Sequence, residues 1–197
     1  MPKKILIING HPNMESLNHA VSGFYAKAAA ENNASVEIIN IGELKFDPNL
    51  AYGYKKEIKL EKCLQDAVKK IKDAEHIVFV FPLWWGSYPA LMKGFIDRVF
   101  LPKIAFDYDD KDKRIELFKG KSARIIITME QPAWYYRLIS RSCTTVQLKH
   151  ITLNFCGIKN VKTTYFGNIG NMDGKRYKKT LETVKSAAQK DACRLIY

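Results

Sequence analysis

The apolar positions of this chain fall into two alternating periods. From Ile77 to Pro82 every residue is apolar or aromatic, the pattern of a strand buried on both faces of a parallel sheet. Pro82 ends that run, because proline lacks the N–H that a central strand donates. Pro89 suits the first turn of a helix. Leu91, Met92, Phe95, Ile96 and Val99 then recur at spacings of three and four, making one apolar helical face. The same strand-then-helix order recurs elsewhere. Ile5 to Ile8 predict a short buried strand, followed by a helix from Ser16 with Leu17, Ala20, Val21, Phe24 and Ala28 on one face. Val36 to Ile41 alternate weakly and predict an edge strand, and Ile58, Cys63, Leu64, Ala67, Val68 and Ile71 mark the next helix. Ala123 to Thr128 and Val161 to Phe166 predict a fourth and a fifth strand. Between them a helix runs through Val146, Leu148, Ile151 and Leu153 and closes at Gly157. A last helix carries Tyr177, Leu181, Val184 and Ala188. This order predicts an α/β fold, a parallel sheet with helices on both faces, as one domain over residues 1–197. Residues 101–114 show little periodicity and predict a long loop, either functional or mobile and solvated.

Composition narrows the class. Hydrophobic residues at 47% and charged residues at 26% place the 197-residue chain among ordinary globular proteins. Cys63, Cys143, Cys156 and Cys193 are widely spaced and form no CxxC, which argues against a zinc site or a disulfide framework and suits a reducing cytosol. Met1-Pro2-Lys3-Lys4 leads straight into a strand without a signal-peptide core, and no apolar run approaches the ~20 residues that span a bilayer. The expectation is a cytoplasmic protein without membrane insertion. Lys and Arg outnumber Asp and Glu by 32 to 20, for a net charge of +12. The lysines are scattered over solvated helix faces rather than interleaved with aromatics. The field therefore suits a phosphorylated nucleotide better than a nucleic acid.

Two loops stand out chemically. Leu83-Trp84-Trp85-Gly86-Ser87-Tyr88 puts two tryptophans and a tyrosine into a strand-to-helix turn, where they are costly to expose. Ligands bind at the carboxyl ends of parallel strands, so the turn reads as a platform for a flat aromatic ligand. Asn9 to Asn18 form a polar loop that ends at a helix start with Ser16 as N-cap, the geometry of an anion site. With one glycine, Gly10, the loop is neither a GxGxxG fingerprint nor a Walker loop. No His/Cys/Asp/Glu cluster at ligand spacing predicts a metal.

Phe81, Pro82, Leu83, Trp85, Pro89, Ala90, Lys93, Gly94, Arg98, Val99 and Phe100 follow, without a gap, the pattern after the third strand of the flavodoxin-like NAD(P)H:quinone oxidoreductases. His11, Ser16, Leu17 and Asn18 resemble that family's first loop in register. The resemblance implies a flavodoxin-like three-layer sandwich with a five-stranded sheet in the order 2-1-3-4-5. It implies a flavin (FMN or FAD) with its phosphate on the N–H groups of Leu17 and Asn18, near His11 and Ser16. Its ring would lie on Pro82, Leu83, Trp84, Trp85 and Gly86, with Thr128, Met129, Glu130 and Gln131 along the pyrimidine side. Phe106 and Tyr108 fall where the family places substrate-lining aromatics, often at a dimer interface, so a homodimer with the site at the interface is implied.

Two departures accompany the resemblance. Thr128-Met129-Glu130-Gln131 stands where the family has Thr-Thr-Gly-Gly. The family's catalytic tyrosine falls on Tyr136, with Tyr135 as its neighbour, but its catalytic histidine falls on Ser142. The implied reaction is ping-pong transfer of two electrons from NAD(P)H to a quinone or similar small aromatic acceptor, with Tyr136 or Tyr135 as proton donor. A flavodoxin-type electron carrier would want a shorter chain and an acidic docking surface. A flavin-binding regulatory subunit of a potassium-efflux transporter is a further reading that the sequence leaves open.

Overall fold

The computed structural model describes residues 1–56 and 59–193. In chain order its first elements are β1 (Lys3–Asn9), α1 (Leu17–Ala30), β2 (Ala34–Asn40), α2 (Lys62–Asp73), β3 (His76–Pro82) and α3 (Ala90–Val99). There follow β4 (Phe106–Tyr108), β5 (Arg114–Glu116), β6 (Ser122–Thr128), α4 (Ala133–Leu138), α5 (Cys143–Val146), β7 (Asn160–Phe166) and α6 (Gly174–Ala192). Five parallel strands make the main sheet in the order β2-β1-β3-β6-β7, which is 2-1-3-4-5 when only its own strands are counted. The flavodoxin-like expectation holds.

Alternation explains the layers. Ile5, Ile7, Val78, Val80 and Ile126 point to one face, where α1 and α6 cover them. Leu6, Ile8, Ile77, Phe79, Phe81, Ile125 and Ile127 point to the other, under α2 and α3. β3 lies at the centre, and all seven of its residues are buried. Two residues of the family-like pattern hold the layer over β3. A Cβ on Gly94 would stand 2.3 Å from Pro48 Cβ, so only glycine lets α3 lie against the connection after β2. Arg98, 1% exposed, donates to Glu61 Oε2 at 2.8 Å and to the Asp47 carbonyl, tying α3 to that connection and to the start of α2.

Several expected faces shift. On α1 Ala20 is exposed and Phe24 half-buried, while Tyr25 is fully buried. On α6 Tyr177 is exposed and Asp191 is buried. Ile58 lies outside the described residues. The 101–114 stretch is no simple loop. β4 and β5 pair antiparallel, and the Asp109 carboxylate accepts the N–H groups of Lys111 and Lys113 at 2.9 Å each to close their turn. After α5 the helix widens into π-type winding over Gln147–Leu153. That winding puts residues five apart on one side: Leu148 and Leu153 are buried, while Val146 and Ile151 turn outward.

At the amino end of the sheet a polar knot closes the core. Asp191 accepts from the Tyr25 hydroxyl at 2.8 Å, from Arg124 Nη2 at 2.9 Å and from Arg124 Nε. His76 Nε2 lies 3.4 Å from the same carboxylate, and its Nδ1 lies 2.8 Å from the Ser122 hydroxyl. Burial alone would raise the Asp191 carboxyl, but hydrogen bonds from His76 and Arg124 outweigh it and hold it well below the usual carboxylate range.

Candidate functional site

Between β1 and β3 the chain leaves the sheet in opposite directions, so the switch point of this topology lies at their carboxyl ends. The loops after both strands meet there. The His11 imidazole and the Trp84 indole pack edge to face, with centroids 5.3 Å apart and planes at 74°. His11 Nδ1 accepts the Asn13 N–H at 3.0 Å, which leaves the ring proton on Nε2. Burial pulls the His11 pKa below its usual value, which favours the neutral ring. The loop is fixed from below. The His11 N–H donates to Asn9 Oδ1 at 3.2 Å, and a Cβ on Gly42 would stand 2.3 Å from the Pro12 carbonyl.

Ser16 caps α1 as expected: its hydroxyl accepts the His19 N–H at 3.2 Å. The N–H groups of Leu17 and Asn18, earlier in the first turn, have no intrahelical acceptor. Asn18 itself is 2% exposed, and its Oδ1 accepts from the Thr128 hydroxyl at 3.0 Å. Its Nδ2 is buried without a partner. An orphaned amide donor of this kind costs about 1–3 kcal/mol unless a water or a ligand meets it.

The platform is a two-residue turn. Trp84 and Ser87 exchange N–H···O bonds of 2.8 and 2.9 Å, and Trp85 (φ 49°) and Gly86 (φ 73°) both sit in the left-handed region. Glycine adopts that corner freely, whereas a bulky tryptophan there costs on the order of 1–3 kcal/mol. Trp85 is fully exposed and Trp84 is 45% exposed, so neither plugs the core. Pro82 is buried at the end of β3, and Leu83 donates its N–H to the Thr128 carbonyl at 2.8 Å.

The structure does not bring every expected residue to this surface. Thr128 meets Asn18, but Met129 is buried and its N–H goes to the Phe166 carbonyl at 2.8 Å. Glu130 Oε2 accepts from the Gly170 N–H at 2.9 Å, and the Gln131 carbonyl accepts from Asn168 at 3.2 Å. Where the family has two glycines, this chain braces the loop after β7. Tyr136 is fully buried, with its hydroxyl 3.2 Å from Thr145 Oγ1 and accepting the Thr145 N–H at 3.1 Å. Burial raises its pKa above the usual tyrosine value. As placed, Tyr136 is a core residue, while Tyr135 is 40% exposed. Phe106 and Tyr108 lie elsewhere: they line an apolar groove of about 490 Å³ with Ile96, Phe100, Ile151 and Phe155. The part of α3 that lines this groove, at Ile96, stands about 9 Å along the helix from Ala90, which follows the platform. Sequence reasoning missed Cys143 and Thr144, whose side chains reach Gly86 across more than fifty residues of chain and leave no local signal.

Among the described residues no helix is long and apolar enough to cross a membrane, and no group of three or more His, Cys, Asp or Glu residues could hold a metal. The five-stranded parallel order, with helices on both faces, defines a flavodoxin-like protein. A family model described as the flavodoxin-like fold matches residues 3–190, and the chain belongs to that family. Its relatives include an uncharacterized NAD(P)H oxidoreductase of Haemophilus influenzae, 29% identical over 96% of this chain and 95% of that one. The human ribosyldihydronicotinamide dehydrogenase (quinone) is 27% identical over 80% of this chain and 78% of its own length. A crystal structure from Streptococcus mutans covers 95% of this chain and 99% of its own, with 27% identity and a TM-score of 0.74. The resemblance to the flavodoxin-like quinone oxidoreductases is therefore supported over nearly the whole length.

Proposed function

We propose that this chain is a flavin-dependent NAD(P)H oxidoreductase that passes two electrons, in ping-pong fashion, to a quinone or similar small aromatic acceptor. The observation that carries this reading is the buried, partnerless Asn18 Nδ2, set beside the open start of α1 and the His11–Trp84 wall. These groups fit a flavin: Leu17, Asn18 and His11 Nε2 offer donors to a phosphate, and Trp84 and Trp85 offer apolar surface to a ring. The flavin, FMN or FAD, supplies the two-electron chemistry when bound. The protein's own part is to hold it, to exclude water and to let NAD(P)H and the acceptor use one face in turn. Tyr135, exposed on α4, is the better placed of the two tyrosines to donate a proton. The relatives named above as NAD(P)H oxidoreductase and quinone dehydrogenase support the reaction class.

The working unit in this proposal is a homodimer in the cytoplasm. Trp134, Leu138, Ile139, Val146 and Ile151 are exposed apolar residues, more than a solvated surface needs. A second copy would cover them and bring its Phe106 and Tyr108 towards the platform. Free cysteines at all four positions suit a reducing compartment.

Titration of the purified protein with FMN and with FAD tests the reading. Flavin fluorescence should be quenched, and the loaded protein should oxidise NADH or NADPH with a quinone. Tyr135→Phe should slow reoxidation by the quinone more than flavin reduction, and Tyr136→Phe should change neither half-reaction except through flavin binding and stability. If neither flavin is quenched at ~10⁻⁵ M, a weak affinity for a cofactor site, the reading is wrong.

A further inference from the structure

The platform corner is strained, and strain of that kind persists only where the surroundings over-determine it. Its own two-residue turn does not suffice, because the favoured residues for such a corner are Asn-Gly rather than Trp-Gly. The missing restraint comes from α5. The Thr144 hydroxyl donates to the Gly86 carbonyl, and Cys143 Sγ lies 3.3 Å from the same oxygen. Thr144 is 1% exposed, so its hydroxyl has little water to turn to.

α5 is itself anchored. Thr145 Oγ1 receives the Tyr165 hydroxyl at 3.0 Å and lies 3.2 Å from the Tyr136 hydroxyl, while the Ser142 N–H donates to the Tyr136 carbonyl at 3.0 Å. Arg141 (φ 48°) and Ser142 (φ 50°) bend the chain left-handed just before it, which starts α5 under the platform. A line of contacts thus runs from β7 through Tyr165, Thr145 and Tyr136 to Thr144 and the Gly86 carbonyl.

We propose that Thr144, assisted by Cys143, is the positioning residue of the platform: it clasps the Gly86 carbonyl and so holds Trp85 in the left-handed corner. The buried Tyr136 then serves as the anchor of this clasp. For its effect on flavin the proposal rests on the reading above. For its effect on the turn it does not.

The test has two arms. Thr144→Val removes the hydroxyl while keeping the shape. It should weaken FMN and FAD binding about tenfold and reduce the quench at saturation, with Thr144→Ser restoring both. In the flavin-free protein, Thr144→Val should lower the folding equilibrium constant about tenfold. The same substitution made together with Trp85→Gly, which leaves no strain for the freed turn to release, should cost several-fold more. Should Thr144→Val fold poorly, Cys143→Ala is measured in both backgrounds and should show the same, smaller coupling. Purely additive effects in the flavin-free protein overturn the clasp. Unaltered flavin affinity and quench in Thr144→Val overturn its positioning role. If the parent protein binds neither flavin, the functional reading fails, and the flavin-free arm alone decides the clasp.

Discussion

The two ends of the one sheet treat polar groups in opposite ways. At the amino end Asp191 and Arg124, both nearly dry, satisfy each other and draw in Tyr25 and His76. At the carboxyl end Asn18 keeps a buried donor without an acceptor, a tryptophan occupies a left-handed corner, and tryptophans face water. Both ends bury polar atoms, so burial alone does not mark a site. What separates them is closure. The knot pairs the Asp191 and Arg124 charges with each other and leaves only His76 Nε2, 3.4 Å from the carboxylate, without a hydrogen bond. The switch-point end instead leaves a donor, strain and apolar surface facing water, which is the condition for a ligand to add stability.

The largest effect should come from opening the knot. Asp191→Ala leaves the Arg124 guanidinium buried with Thr164 as its remaining side-chain acceptor, at 2.9 Å. Removing one partner of such a pair costs about 3–5 kcal/mol. Urea unfolding should show that loss, while the folded fraction binds flavin as before. A loss below about 1 kcal/mol would mean that Arg124 finds water, and that the amino end is less closed than its geometry indicates.

The converse substitution sharpens the other side. Asn18→Leu deletes an unsatisfied donor, so the flavin-free protein should hold its stability within about 1 kcal/mol despite the lost Thr128 contact. Flavin affinity should fall ten- to a hundredfold, about 1.4–2.8 kcal/mol, in a fluorescence titration. Loss of stability with intact affinity would make Asn18 a second structural knot and remove the contrast.

How much of this was legible in the sequence differs between the ends in the same way. The strands themselves, the Ser16 cap and the prominence of the Trp84–Trp85 turn follow from local pattern, because period, capping and turn chemistry act within a few residues. The order of the strands in the sheet came from the family resemblance. The knot was invisible. Asp191 reads as one more charge on a lysine-rich helix, and only the packing of α6 against α1 brings it to Tyr25 and Arg124. The placement of Tyr136 failed for a related reason: family register located the residue but not the direction of its side chain. The outward turn of Val146 and Ile151 required π winding, which no period of 3.6 foretells. β4 and β5 were missed because three-residue strands are too short to show alternation.

The smallest effect concerns acid. Burial lowers the His76 pKa, against the pull of Asp191, with Lys3 and Arg124 adding to the decrease. A histidine held neutral in the fold takes up its proton more readily when unfolded. Its contribution is therefore present above the unfolded value of about 6.5 and is lost as pH falls towards the lower folded value. Asp191 has the same acid sensitivity but acts later, because its contribution is complete above the unfolded carboxylate value of about 3.9. Between those two values the knot's acid response belongs to His76. His11, at the opposite end, has a lowered pKa as well, but it is only half-buried, and a bound flavin phosphate would favour its protonated form. Unfolding midpoints measured from pH 7 to pH 4.5 should fall with acid in the parent protein and fall less in His76→Gln. Adding FMN should leave the His76 share unchanged and shrink what His11 contributes. If His76→Gln keeps the whole slope, His76 is not the neutral buried group of the knot, and the amino end loses its claim to be the dry one.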